Sequence, residues 1–175
     1  DKHFFFLITL KFKALLKYKN KMKLTELIIK HLTHSFGLPV LKLIVKPNLL
    51  SYSKQELASF PEGTLGKDVF EFLNTNQMNL LEYFETHDVK HVLLNYGISD
   101  VEEAKMQFFF LGNGTYSIPV LSATTFCIFL LPTHIPEFIK AFKRGKKCHN
   151  LKDIKLQNYL FEKTSDLKLK LLNNY

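Results

Sequence analysis

The sequence predicts an all-α domain, and three observations predict it. Apolar residues recur at helical spacing in several stretches. Those stretches begin at capping residues and end at Gly or Pro, and no alternating apolar–polar run lasts long enough to make a strand. With 175 residues, 46% of them apolar, the chain has the length of one ordinary domain and enough material for a core. Seventeen Phe and seven Tyr, with no Trp, make that core aromatic and exclude low-complexity disorder.

The elements follow in order. Residues 1–21 form an N-terminal extension of doubtful structure: the apolar run Phe4–Leu10 is interrupted by Lys11 and Lys13, too short to span a bilayer. Met22 precedes the first clear helix and is read as a start, so the helical domain proper is 22–175. In 23–36, Leu24, Leu27, Ile28 and Leu32 share a face, and Gly37 ends it. Pro39 and Pro47 bracket a stretch left unassigned. Phe60-Pro61-Glu62-Gly63 reads as a loop, and Thr64 caps a helix that turns Leu65, Val69, Phe72 and Leu73 inward. Residues 77–95 read as one helix ended by Gly97, and about 100–111 as the next, stopped at Gly112-Asn113-Gly114. The sixteen residues 116–131 are almost wholly apolar. A bilayer span needs about 20 residues, so the run is expected to be a buried core helix, or the wall of an apolar tunnel for a lipid tail. Beyond Pro132 and Pro136 come helices at Glu137–Arg144 and about 154–172.

The net charge of +8 is divided: residues 1–30 and 140–156 each carry +6, whereas 31–139 carry −5. No nucleic-acid motif accompanies the basic ends. Lys140, Lys143, Arg144, Lys146 and Lys147, beside Phe138 and Phe142, suit an anionic membrane surface. Cys127 and Cys148 form no C-x-x-C pair and suit a reducing compartment.

Chemistry concentrates on the 77–95 helix. Leu80, Phe84, His87, His91 and Leu94, spaced 4, 3, 4 and 3, make one inward stripe. Asp88 stands about 100° round from His87. Two imidazoles at i and i+4 can point to one place, and a divalent cation removes the cost of burying a carboxylate beside them. On the next helix, Ser99 and Glu102 form a capping box, which gives Glu102 a local task. Glu103 has none; it shares a face with Met106 and Phe110 and needs a partner. His87, Asp88, His91 and Glu103 are therefore the expected metal ligands, a set that suits zinc, iron or manganese, with zinc the leading expectation.

His87-Asp88-x-x-His91, eleven residues, then Glu103 resembles the signature of the coenzyme Q (ubiquinone) biosynthesis protein Four family. Phe60-Pro61-Glu62-Gly63-Thr64-Leu65-Gly66, Tyr96-Gly97, Arg144-Gly145 and Asn150-Leu151 agree with it, so the resemblance covers about 23–172. Departures are Glu102, where the family commonly has Gly, and Val69, in place of a frequent aromatic. The resemblance implies a helical fold with a tunnel for a polyprenyl chain, peripheral to a membrane. It also implies removal of the carboxylate from a polyprenylated hydroxybenzoate and contacts with other quinone-biosynthesis proteins. Asp88 is the ligand expected to double as the proton-transfer group, because a carboxylate beside a metal can shuttle a proton to the departing ring carbon. The corresponding location is the cytoplasmic side of a bacterial inner membrane, or the matrix side of the mitochondrial one. The competing expectation is a non-enzymatic prenyl-lipid carrier or scaffold, in which the metal only orders two helices. A homodimer is compatible with either. A metal-dependent phosphohydrolase would want a further distant His and Asp, and no convincing set is present.

Overall fold

The structure, a computed structural model, describes Pro47 and residues 49–172. The extension at 1–21, Met22 and the helix read at 23–36 lie outside the described residues. All described residues belong to one of two compact units, Val45–Tyr175. Among them the chain forms seven α-helices and no strand: α1 Lys54–Ala58, α2 Leu65–Thr75, α3 Glu85–Leu94, α4 Asp100–Gly112, α5 Ile118–Leu130, α6 Ile135–Lys147 and α7 Thr164–Leu172. Short 3-10 turns precede α6 and α7. The all-α expectation holds.

Capping explains most helix starts. Ser53 and Glu56 make a full capping box on α1: Glu56 N–H donates to Ser53 Oγ at 3.3 Å and Ser53 N–H to Glu56 Oε2 at 2.7 Å. Thr64 caps α2, whose Leu65, Val69 and Leu73 are fully buried as expected. Ser99 caps α4, but Glu102 does not complete the box. It pairs instead with Lys105 and accepts from the Gly97 N–H.

The core is made where α4 packs on α6 and α2 on α3. Phe109 and Phe138 are fully buried, and Phe108 stacks on Phe138 at 4.7 Å. Two glycines allow the α4–α6 crossing: a Cβ at Gly145 would land on the Phe109 carbonyl oxygen, and one at Gly112 on that of Phe142. Asn113 then ties α4 to the chain beyond α6, donating to the Gly145 carbonyl at 3.0 Å and to that of His149 at 2.8 Å, and accepting from Leu151 N–H at 2.8 Å.

Three sequence expectations are corrected. The 77–95 helix begins only at Glu85, because Asn76 ends α2 and Gln77 and Tyr83 take positive φ, 54° and 70°. Residues 78–84 form a loop, so Leu80 and Phe84 are not on the helical stripe. The helix ends on left-handed Asn95, φ 59°, not on Gly97. The expected 154–172 helix is broken at 160–163, where the Glu162 and Leu160 carbonyls accept the Leu65 and Gly66 N–H groups at 2.9 and 2.8 Å. Those are first-turn donors of α2, which no residue within α2 can satisfy. Finally, α5 is not a core helix. Only Val120 and Thr124 are buried, while Ile118 and Phe129 are 74% and 78% exposed.

Candidate metal centre

His87 and His91 are one turn apart on α3, and Glu103 stands at the start of α4. The short Asn95–Ser99 link lets the two helices bring these side chains together. His91 Nε2 lies 2.9 Å from Glu103 Oε1 and 3.1 Å from His87 Nε2, and His87 Nε2 lies 3.3 Å from Glu103 Oε2. One donor atom from each of the three falls within 4.8 Å of the others. Asp88 is not among these three. Its Oδ2 accepts the Leu81 N–H at 2.8 Å, which pins the 78–84 loop across the start of α3.

The ring of His91 is held on two sides. Its Nδ1 is 3.2 Å from the Tyr96 carbonyl oxygen, and Phe72 of α2 stacks on its face at 5.5 Å. With Nδ1–H directed at that carbonyl, Nε2 is turned toward His87 and Glu103, as in metal-ligating histidines whose second nitrogen is fixed by a hydrogen bond. Tyr96 is fixed in turn, its ring under the Arg144 guanidinium of α6 at 5.2 Å and beside Phe109. The centre is buried on one side and open on the other: His91 is 3% exposed, and the side chains of His87 and Glu103 are 25% and 38% exposed.

The titrations follow from this packing. Burial opposes charge on His91, but the Glu103 carboxylate and the Tyr96 carbonyl outweigh it and raise its pKa. Burial would raise Glu103, yet its hydrogen bonds with His87 and His91 hold it down to about 2. Asp88 is raised by burial, although the Leu81 N–H and the imidazoles pull the other way. On the same helix Lys90 is lowered by burial. Two imidazoles and a carboxylate converging with their acceptor atoms together are a donor set that fits a divalent cation, and the neutral-ligand geometry of His91 is already in place.

The expected membrane residues divide. Lys140, Lys143, Lys146 and Lys147 are exposed along α6, whereas Arg144 lies over Tyr96 and Phe109. Sequence reasoning missed this inward Arg and the Tyr96 carbonyl, since a backbone oxygen has no residue signature. Beside α6, α5 presents Ile118, Leu121, Phe126, Ile128 and Phe129 to the outside. Its Cys127 lies near the first turn of α4: burial, then the Asp100 charge, pushes the thiol to about 11. No single helix among the described residues is long and apolar enough to cross a membrane, but α5 and the Pro132–Lys147 segment, bent at 103°, together pass that test.

The fold and site define a helical domain carrying a His-His-Glu cluster where α3 meets α4. In solved structures this chain is similar to a protein of Nostoc punctiforme provisionally described as a ubiquinone biosynthesis protein, at 21% identity and TM-score 0.57, over 86% of this chain and 82% of that one. The likeness is one of fold. No family model and no curated protein matches the chain.

Proposed function

We propose that the chain binds one divalent metal through His87, His91 and Glu103 and, at a membrane surface, decarboxylates a prenylated hydroxybenzoate in quinone biosynthesis. The observation that carries this reading is the convergence of the three donors within 4.8 Å. Three protein donors leave a position for substrate, the pattern of catalytic rather than structural sites. The shared fold with the Nostoc punctiforme protein supports the pathway.

A bound divalent cation, with zinc, iron and manganese all suited to these donors, would supply Lewis acidity toward a substrate oxygen. The protein's own part is positional. Tyr96 and Phe72 hold His91, and Glu103 faces both imidazoles. Asp88 is 2% exposed and keeps a proton more readily than an ordinary aspartate, with burial the main cause. In the reaction the bond between the ring and its carboxyl carbon breaks, carbon dioxide leaves without that bond's electrons, and the ring carbon takes a proton from Asp88. Asp88 regains its proton after the product leaves, from the side of the centre left open at His87 and Glu103.

The membrane contact combines the apolar face of α5 with Lys140, Lys143, Lys146 and Lys147 of α6. Both helices pack on α4, which carries Glu103, and in this reading the prenyl tail runs from the bilayer along α4 toward it. That exposed apolar face also favours a second reading, a prenyl-lipid carrier or scaffold without turnover. Purified metal-loaded protein should convert a short-chain prenyl hydroxybenzoate to the prenylphenol, and His87→Ala should not. Tight lipid binding with no conversion under any of the three metals would favour the carrier.

A further inference from the structure

We propose that Lys90 is a second anchoring point for the ligand: its ammonium pairs with the anionic oxygen at the end of an aromatic acid remote from the metal centre. This rests on the metal-centre reading and adds to it a residue that selects the ligand.

Lys90 stands three residues after His87, on the same side of α3, within about 5–6 Å Cβ to Cβ. Its side chain is half-buried, and its Nζ lies 4.9 Å from the centre of the Phe110 ring. Of the four other half-buried lysines three have oxygen partners: Lys54 donates to the Met78 carbonyl, Lys67 to the Ala58 carbonyl and Glu62, and Lys105 to Glu102; the fourth, Lys168, lies on α7 and on neither helix of the metal centre. Among the described residues Lys90 has an aromatic face and no carboxylate or hydrogen-bond acceptor. A cation withdrawn from water without a counter-charge is costly, and an incoming anion offsets that cost.

The position suits a ligand with two polar ends. Phe110 follows Glu103 by seven residues on the same face of α4, two turns or about 10 Å on, and Lys90 Nζ stands 4.9 Å from the centre of its ring. An aromatic acid held by the metal at one end would have Phe110 and Lys90 at the other. A para-hydroxylated benzoate has oxygens at both ends, whereas benzoate lacks one, so the two separate the anchors.

The test measures binding of 4-hydroxybenzoate and benzoate to wild type, Lys90→Met and Lys90→Arg, after elemental analysis of each. Wild type is expected to prefer 4-hydroxybenzoate by about tenfold, the value of one charge-assisted contact of about 1.4 kcal/mol. Lys90→Met should lose the preference with its metal content unchanged, and Lys90→Arg should regain part of it. Absorbance of the bound phenol should move toward the phenolate in wild type and not in Lys90→Met. An equal preference in Lys90→Met, no preference in wild type, or loss of metal from both variants would overturn the assignment. If wild type carries no metal, the metal centre itself fails, and the same comparison on metal-free protein decides Lys90 separately: a preference abolished by Lys90→Met retains it, and an unchanged one removes it.

Discussion

His91 Nδ1 faces the Tyr96 carbonyl oxygen at 3.2 Å, and this contact turns the opposite nitrogen, Nε2, onto Glu103 at 2.9 Å. One backbone oxygen, five residues along, thus decides which imidazole nitrogen is offered to a metal. In the metal-free protein the same geometry makes an ion pair, with His91 raised and Glu103 held to about 2. Metal binding must displace the proton on Nε2.

The pH dependence follows with opposite signs at the two ends. Glu103 has a depressed pKa, so its contribution to stability is present above the ordinary carboxylate value of 4.5 and is lost as pH falls toward about 2. His91 has a raised pKa, so its contribution is present below the ordinary 6.5 and is lost as pH rises through the raised value. Chelator-treated protein should gain most from the pair between about 4.5 and 6.5. Thermal melts of wild type and Glu103→Gln across pH 3–9 should differ most in that window. Equal differences at every pH would remove the ion pair.

Asp88 should be separable from the metal ligands. Asp88→Ala leaves the Leu81 N–H without its acceptor, and denaturant unfolding should show a loss of about 1–3 kcal/mol. Asp88→Asn keeps an acceptor oxygen, so most of the stability and the bound metal should return while decarboxylation does not. Metal lost from Asp88→Asn would instead place Asp88 in the ligand set, as the sequence pattern alone expects.

Gly145→Ala should destabilise by about 1–3 kcal/mol, because the added methyl meets the Phe109 carbonyl rather than a movable side chain. Gly97→Ala is the contrast: its nearest neighbour would be Glu102 Cγ at 3.5 Å, ordinary contact, and denaturation should change little. Similar losses in both would mean that the α4–α6 crossing is looser than described.

The α5–α6 surface should bind vesicles through two independent parts. Lys143→Glu with Lys147→Glu should weaken binding to anionic vesicles by about 1 kcal/mol or more per site, with the remainder less sensitive to salt. Phe126→Ser with Phe129→Ser should weaken binding to neutral and anionic vesicles alike. Co-sedimentation measures both, and unchanged binding in the double phenylalanine variant would exclude α5 from the contact.

Much of this arrangement is legible in the residues, for reasons that vary by element. Thr64 and Ser99 announce α2 and α4 because a cap is a local device read from one side chain. The i, i+4 histidines and an unemployed Glu103 announce a meeting point, because each would be costly alone in its surroundings. The late start of α3 is not legible: the 78–84 loop is held by Asp88 reaching back seven residues to Leu81 and by two positive φ angles at Gln77 and Tyr83. Five-residue α1 is too short for an apolar period, and its only mark is Ser53 with Glu56. For α5 the pattern misleads. A helix apolar on every side carries no information about which side faces inward, and only Val120 and Thr124 are buried.

The most direct test is the metal content of purified wild type, His91→Ala, Glu103→Ala and Glu102→Ala by elemental analysis. About one divalent metal per chain is expected in wild type and in Glu102→Ala, with most of it lost from the other two. Full occupancy in both His91→Ala and Glu103→Ala, or wild type without metal after purification in excess zinc, iron or manganese, would contradict the metal assignment.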